Sequence, residues 1–158
     1  LKLGSGIAPI KQILDNDINI ALGTDGAASN NDLDLFSEMQ TAALLAKGSS
    51  QDPTTLPAHT ALEMVTINAA SALGLDNIIG SIEIGKRADI IAVDISDCWQ
   101  QPVYNPFAHL VYSSSRLAVS DVWVDGRQLL KNKQLTSIDT ETLLEKTQTL
   151  KKTILSVM

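Results

Sequence analysis

Ile18-Asn19-Ile20-Ala21-Leu22-Gly23-Thr24-Asp25-Gly26 decides how this chain is read. A β-type apolar stretch runs into a carboxylate, and Gly and small polar residues follow. Parallel α/β barrels carry their chemistry at the carboxyl ends of the strands, so an acid at this point reads as catalytic or metal-binding. From spacing alone, a loop- or helix-capping Asp25 is an equal alternative.

Around that stretch the pattern is α/β. Ile10, Ile13 and Leu14 sit at helical spacing in a segment that begins at Pro9 and is closed by Asp15-Asn16-Asp17. A short helix feeding a continuous apolar strand is half of a βαβ unit and points to a parallel sheet. The loop Gly26-Ala27-Ala28-Ser29-Asn30-Asn31 is built from turn formers. Asn30 or Asn31 is expected to cap a helix starting near Asp32, with Asp32 and Asp34 in its first turn, where the dipole favours acids. Leu35, Phe36, Met39, Ala42, Ala43 and Ala46 form its expected buried stripe, and Lys47-Gly48 its close.

A polar loop from Gly48 to Pro57 leads to a second expected helix with Leu62, Val65, Ala69, Ala72 and Leu73 inward and Gly74 at its end. The pattern then changes. Ala88 to Asp94 reads as a short strand, Val119 to Val124 alternates, Asp125-Gly126 signals a hairpin, and Leu129-Leu130 begin the return strand. Thr140 to Met158 reads as a helix with acids early and Lys151-Lys152 late. Two units follow: residues 1–75, α/β in pattern, and residues 76–158, a small β unit closed by a helix.

Composition narrows the function. A 158-residue chain that is 44% hydrophobic and 19% charged can bury a core. The net charge of -6 argues against a nucleic-acid partner, because phosphate binding needs clustered Lys and Arg. No apolar run is long enough for a membrane span, so no membrane partner is expected. With no signal peptide in view, a cytoplasmic location is the expectation. Cys98 is the lone cysteine, which excludes an intrachain disulfide and a multi-Cys metal site. The chain opens Leu1-Lys2-Leu3-Gly4 without Met and enters patterned sequence at once, so a piece of a longer polypeptide is expected.

Other motifs read as structural. Gly80-Ser81-Ile82-Glu83-Ile84-Gly85-Lys86-Arg87 approaches a phosphate-binding loop, but Arg87 stands where a magnesium-binding hydroxyl is required. A strand follows where a helix would have to open. Asp32-Leu33-Asp34 lacks the turn Gly of a calcium loop. His59 and His109 share no ligand spacing; His109 is expected in a loop or strand. Trp99 and Trp123 are assigned to packing, and Cys98 to a buried or bystander thiol.

Three stretches together resemble the amidohydrolase superfamily. They are Leu3-Gly4-Ser5-Gly6-Ile7-Ala8-Pro9, the run from Leu22 to Phe36, and the run from Gly80 through Gly85-Lys86-Arg87-Ala88-Asp89 to Ile91. Asn105-Pro106, His109-Leu110-Val111-Tyr112 and Val124-Asp125-Gly126 extend the likeness over essentially the whole chain. Within the superfamily it looks most like the 5-methylthioadenosine/S-adenosylhomocysteine deaminases and the related triazine chlorohydrolases. The resemblance implies the carboxyl-terminal third of a metal-dependent (β/α)8 barrel, with part of a small β-sandwich and a carboxyl-terminal helix.

It also implies hydrolytic deamination of a small purine nucleoside, with zinc or another divalent transition metal bound in the full-length parent. Asp25 corresponds to the acid ending the eighth strand. The resemblance gives it three roles: metal ligand, catalytic proton acceptor and substrate contact. Residues 27–31 would shape the mouth of the pocket. The family's His-x-His pair, its further His ligands and its Glu have no counterpart here, so the chain alone is expected to be inactive and to bind zinc weakly. Homo-oligomerisation or association with the missing amino-terminal portion is expected. A related chlorohydrolase, a guanine or cytosine deaminase, or a non-catalytic assembly module are the alternatives.

Overall fold

The computed structural model describes residues 2–156. Its helical part comprises α1 (Ile10–Asp15), α2 (Leu35–Ser50), α3 (Ala58–Met64), α4 (Ile67–Ala72) and α5 (Pro106–Tyr112). The sheet is an antiparallel meander, β1 (Ile90–Val93), β2 (Val119–Val124), β3 (Arg127–Lys131) and β4 (Gln134–Leu135), in that spatial order. A long helix, α6 (Thr140–Leu155), follows it. Val157 and Met158, the expected end of that helix, lie outside the described residues.

The core lies where α2, α3 and α5 meet. Phe36, Met39, Ala43 and Ala46 of α2 pack with Leu56, with Ala61 and Met64 of α3, and with Val111 of α5. The α2 contribution follows the expected i, i+3, i+7, i+10 spacing. Leu35 departs from it and is exposed, with Ala42 half-buried. Gly48 does not end α2. The helix runs on to Ser50 and stops at Gln51, whose φ of 55° is left-handed.

The second expected helix is two helices, α3 and α4, separated at Val65-Thr66. The break falls at Thr66, whose backbone leaves helical geometry with ψ -101° while its hydroxyl donates to the Leu62 carbonyl at 2.8 Å. Ala72 and Leu73 are exposed rather than inward. Gly74 ends α4 as expected, at φ 70°. Its N–H donates to the Ser71 carbonyl at 3.0 Å and that of Leu75 to the Ala70 carbonyl at 2.8 Å, a Schellman motif.

The expected parallel strand over residues 18–24 is not a ladder strand. The segment is extended, but no strand among the described residues pairs with it. It is tied to the helices by the Leu22 N–H to Met64 carbonyl bond of 2.9 Å, and Ile20 and Leu22 pack against the core. His109 likewise differs from expectation and lies in α5, which Asn105 caps through the Ala108 N–H, with Pro106 at the first turn. Trp99 is 77% exposed and does not pack, whereas Trp123 is half-buried in β2; Cys98 is exposed, the bystander rather than the buried thiol.

The stretch Gly85-Lys86-Arg87-Ala88-Asp89 is a brace for the hairpin. Asp125 and Gly126 form its two-residue turn with φ 51° and 77°, the backbone a type I′ turn needs. The Asp125 N–H donates to Asp89 Oδ1 at 2.6 Å, the Gly126 N–H to the Ala88 carbonyl at 3.1 Å, and Arg87 pairs with Asp125 at 3.5 Å. Lys86 is occupied internally, donating to Ser81 Oγ at 2.6 Å and pairing with Glu83 at 3.2 Å. The Ser81 hydroxyl, then Lys86, hold the Glu83 carboxyl below its ordinary range. This is a turn into a strand, with no helix for a phosphate.

Candidate active site

Asp25 is set at the end of the extended segment by the alternation of its residues. Ile20, Leu22 and Thr24 are half-buried, Ala21 and Gly23 are exposed, and Asp25 takes a left-handed backbone with φ 58° just before the turn at 27–29. A left-handed backbone costs an L-residue about 1–2 kcal/mol, and Asp tolerates it better than most. Such outliers persist only where the surroundings enforce them and cluster at functional sites.

The loop after Asp25 closes back on it. Ser29 Oγ donates to Asp25 Oδ2 at 2.6 Å, and the Ser29 and Asn30 N–H groups reach the Gly26 carbonyl at 3.0 and 2.9 Å. Asn30 Nδ2 donates to Glu38 Oε1 at 2.5 Å, and Asn30 Oδ1 accepts the Leu33 N–H at 2.8 Å. Neither Asn30 nor Asn31 caps α2. Asp34 does, accepting the Phe36 N–H at 2.9 Å from a position only 5% exposed. Lys2 Nζ donates to the Ala28 carbonyl at 2.9 Å and to Asn31 Oδ1 at 2.7 Å.

These residues surround an open cleft of 380 Å³, lined by Lys2, Thr24, Asp25, Ser29, Asn30, Glu38 and Thr41 among others. Asp25 is exposed, and among the described residues no donor reaches its Oδ1. Glu38 and Thr41 were missed in the sequence. Their i, i+3 placement on α2 puts both on one helix face, a signal that is legible once α2 is known to follow the loop directly.

Of the two carboxylates in the cleft, Glu38 is engaged by the Asn30 amide, while Asp25 keeps one oxygen free of donors among the described residues. Asp25 offers a carboxylate oxygen, but a catalytic zinc site takes about three protein ligands. No group of three or more His, Cys, Asp or Glu side chains able to hold an ion occurs among the described residues. His59, exposed in α3, and His109 of α5 do not line the cleft. The cleft thus holds two carboxylates, Asp25 bonded to Ser29 and Glu38 bonded to Asn30.

The sequence signature of the amidohydrolase family matches residues 1–129. A 5-methylthioadenosine/S-adenosylhomocysteine deaminase of Saccharophagus degradans is 53% identical over 92% of this chain, which spans 33% of that protein. The zinc-bound adenosine deaminase structure from Xanthomonas campestris superposes with a TM-score of 0.94 at 42% identity, over 98% of this chain and 35% of that one. The structure of an Arthrobacter aurescens atrazine chlorohydrolase mutant with zinc and atraton superposes with a TM-score of 0.83 at 30% identity, over 94% and 33%. The chain thus spans about a third of the length of the proteins it matches.

Proposed function

This chain belongs to the amidohydrolase family, and from that premise we propose that it forms the carboxyl-terminal third of a metal-dependent hydrolase that deaminates a purine nucleoside of the 5-methylthioadenosine or S-adenosylhomocysteine type. The observation that carries the proposal is Asp25 at the head of the cleft, with Oδ2 held by Ser29 and Oδ1 free of any donor among the described residues. The higher identity to the Saccharophagus deaminase than to the chlorohydrolase favours deamination over dechlorination.

In the reaction, water adds to the aminated ring carbon, the C–N bond breaks, and ammonia leaves as the carbonyl forms. A zinc-type divalent ion, when bound, supplies a water that ionises near neutral pH. Asp25 contributes an oxygen in the cleft and accepts the proton that the attacking water gives up. The Ser29 hydroxyl fixes the plane of that carboxylate and leaves the other oxygen open. The acids that protonate the ring and the leaving ammonia come from polypeptide outside this chain.

In this reading residues 1–75 are the last portion of a (β/α)8 barrel, and residues 76–158 are the rest of a composite β-sandwich with α6 closing it. α5 reaches from the second part into the helical core of the first. The extended segment 18–24 has backbone edges for strands from elsewhere, so association with an amino-terminal portion or with further copies completes the molecule. No helix among the described residues is long and apolar enough to cross a membrane, and we place the protein in the cytoplasm.

The test is ammonia release by the intact, zinc-loaded protein. 5-Methylthioadenosine and S-adenosylhomocysteine should be turned over, and guanine, cytosine and chlorotriazines much more slowly. Asp25→Asn should lower kcat about a hundred- to ten-thousandfold, the scale of lost acid–base catalysis. Preferred turnover of a chlorotriazine, or an Asp25→Asn protein of unchanged kcat, refutes the assignment.

A further inference from the structure

We infer that Arg116, far from the cleft in sequence, is a positioning residue for the loop that carries the cleft's polar side chains. The inference rests on the functional reading above and assigns that site a control point in the segment after α5. Arg116 begins a short turn, Arg116–Ala118, that leads into β2. Its Nη1 donates to the Asp32 backbone carbonyl at 2.7 Å and lies 3.5 Å from Asp32 Oδ2. Its N–H approaches Asp34 Oδ2 at 3.4 Å. The guanidinium thus anchors the first residue of the Asp32-Leu33-Asp34 corner, while the backbone of Arg116 lies near the last.

The peptide group between Asp32 and Leu33 is the point of leverage. Its carbonyl accepts from Arg116, and its N–H donates to Asn30 Oδ1 at 2.8 Å. A planar peptide held at both ends cannot rotate without breaking both bonds. Leu33 also has φ 50°, a left-handed conformation that a leucine side chain disfavours. With the guanidinium gone, the backbone gains by turning this peptide and releasing Leu33 from that conformation. The turn withdraws the N–H that fixes the Asn30 amide, whose other end donates to Glu38. Asn30 and Glu38 both line the cleft beside Asp25. Arg116 therefore reaches the cleft through one peptide and one amide.

The decisive contact is to a backbone carbonyl, and this separates positioning from a surface ion pair. Both charged groups of the Arg116–Asp32 pair are about half exposed, where such pairs are worth little. Asp32→Asn keeps the carbonyl and should leave activity and loop order unchanged. Arg116→Ala should reduce both, and Arg116→Lys, which keeps a donor, should recover part of each.

The experiment uses the intact, zinc-loaded protein and these three variants. It reads kcat and KM for 5-methylthioadenosine, thermal midpoints, and exchange of the Leu33 amide proton. We expect Arg116→Ala to exchange Leu33 faster and to lower kcat/KM roughly ten- to a hundredfold, the cost of a small misplacement, with the global melt nearly unmoved. Unchanged Leu33 exchange, faster exchange with unchanged kcat/KM, an equal loss in Asp32→Asn, or a loss that follows global melting overturns the inference. If the wild-type protein releases no ammonia, the functional reading fails, and Leu33 exchange alone decides whether Arg116 holds the loop.

Discussion

Replacing Asp34 by Ala removes the cap of the helix that carries most of the core. The carboxylate accepts the Phe36 N–H at 2.9 Å, the Ser37 hydroxyl at 3.3 Å and, at the long distance of 3.4 Å, the Arg116 N–H. These bonds are not equal. Ser37 is exposed and regains water, and the Arg116 contact is too long to contribute much. The Phe36 N–H is different, because Phe36 is 9% and Asp34 5% exposed, so the orphaned donor stays dry. Losing an N-cap costs about 0.5–2 kcal/mol, and a buried unpaired donor puts this case at the upper end, about 2 kcal/mol. In an intact protein about three times this length that is a drop of roughly 2 °C in melting temperature. Asp34→Asn keeps a good capping oxygen and should fall by less than half as much. The assay is urea and thermal unfolding of the intact protein followed by circular dichroism. An Ala variant within about 0.5 kcal/mol of wild type, or an Asn variant equal to it, defeats the reasoning.

Two further outcomes follow from contacts elsewhere in the chain. Gly80 has φ 92°, and a Cβ there would sit 2.7 Å from the Ala70 Cβ and 3.0 Å from the Ile67 Cα. Gly80→Ala should cost at least about 2 kcal/mol from overpacking and strain. Adding Ala70→Gly should restore only part, since the Ile67 backbone stays in place; a full rescue by denaturant titration is the contrary result. At the start of α6, the Thr142 hydroxyl at 2.7 Å, then the Thr142 and Glu141 N–H groups, hold the Asp139 carboxyl below its ordinary 3.8. A depressed carboxyl stabilises above its unfolded value and stops doing so as pH falls through the folded one. The first turn of α6 should therefore loosen below about pH 4, followed through the Glu141 and Thr142 amide resonances, and Asp139→Ala should abolish that acid dependence. Parallel acid titrations in the two proteins count against it.

The sequence reading succeeded where a local signal is tied to one backbone need. Asp125-Gly126 demanded a type I′ turn and forms one, and Gly74 demanded a left-handed helix end and supplies it. The α2 stripe was legible because Met39, Ala43 and Ala46 follow the helical period. It failed where one residue outweighs a pattern. A periodic segment breaks at Thr66, whose backbone leaves helical geometry, and Asp34 displaces Asn30 and Asn31 as cap because α2 begins only at Leu35, directly after it. The strand at 18–24 was read from composition, but a ladder needs a neighbour, and none is among the described residues. Asp25 stands out in the sequence by its place at the end of that run, and it lines the cleft. Ser29, Asn30 and Glu38 could not be assigned to it individually, since their convergence depends on how the loop folds onto α2. Arg116 lay beyond any sequence argument, because its contacts cross 82 and 84 residues.

The most direct trial is a crystal structure of the intact protein loaded with zinc, refined without restraints on the metal. The account requires an Asp25 carboxylate oxygen at about 2.0–2.2 Å from the ion, with Ser29 still bonded to the other oxygen. An ion held entirely by other side chains, with both Asp25 oxygens well beyond coordinating distance, contradicts it.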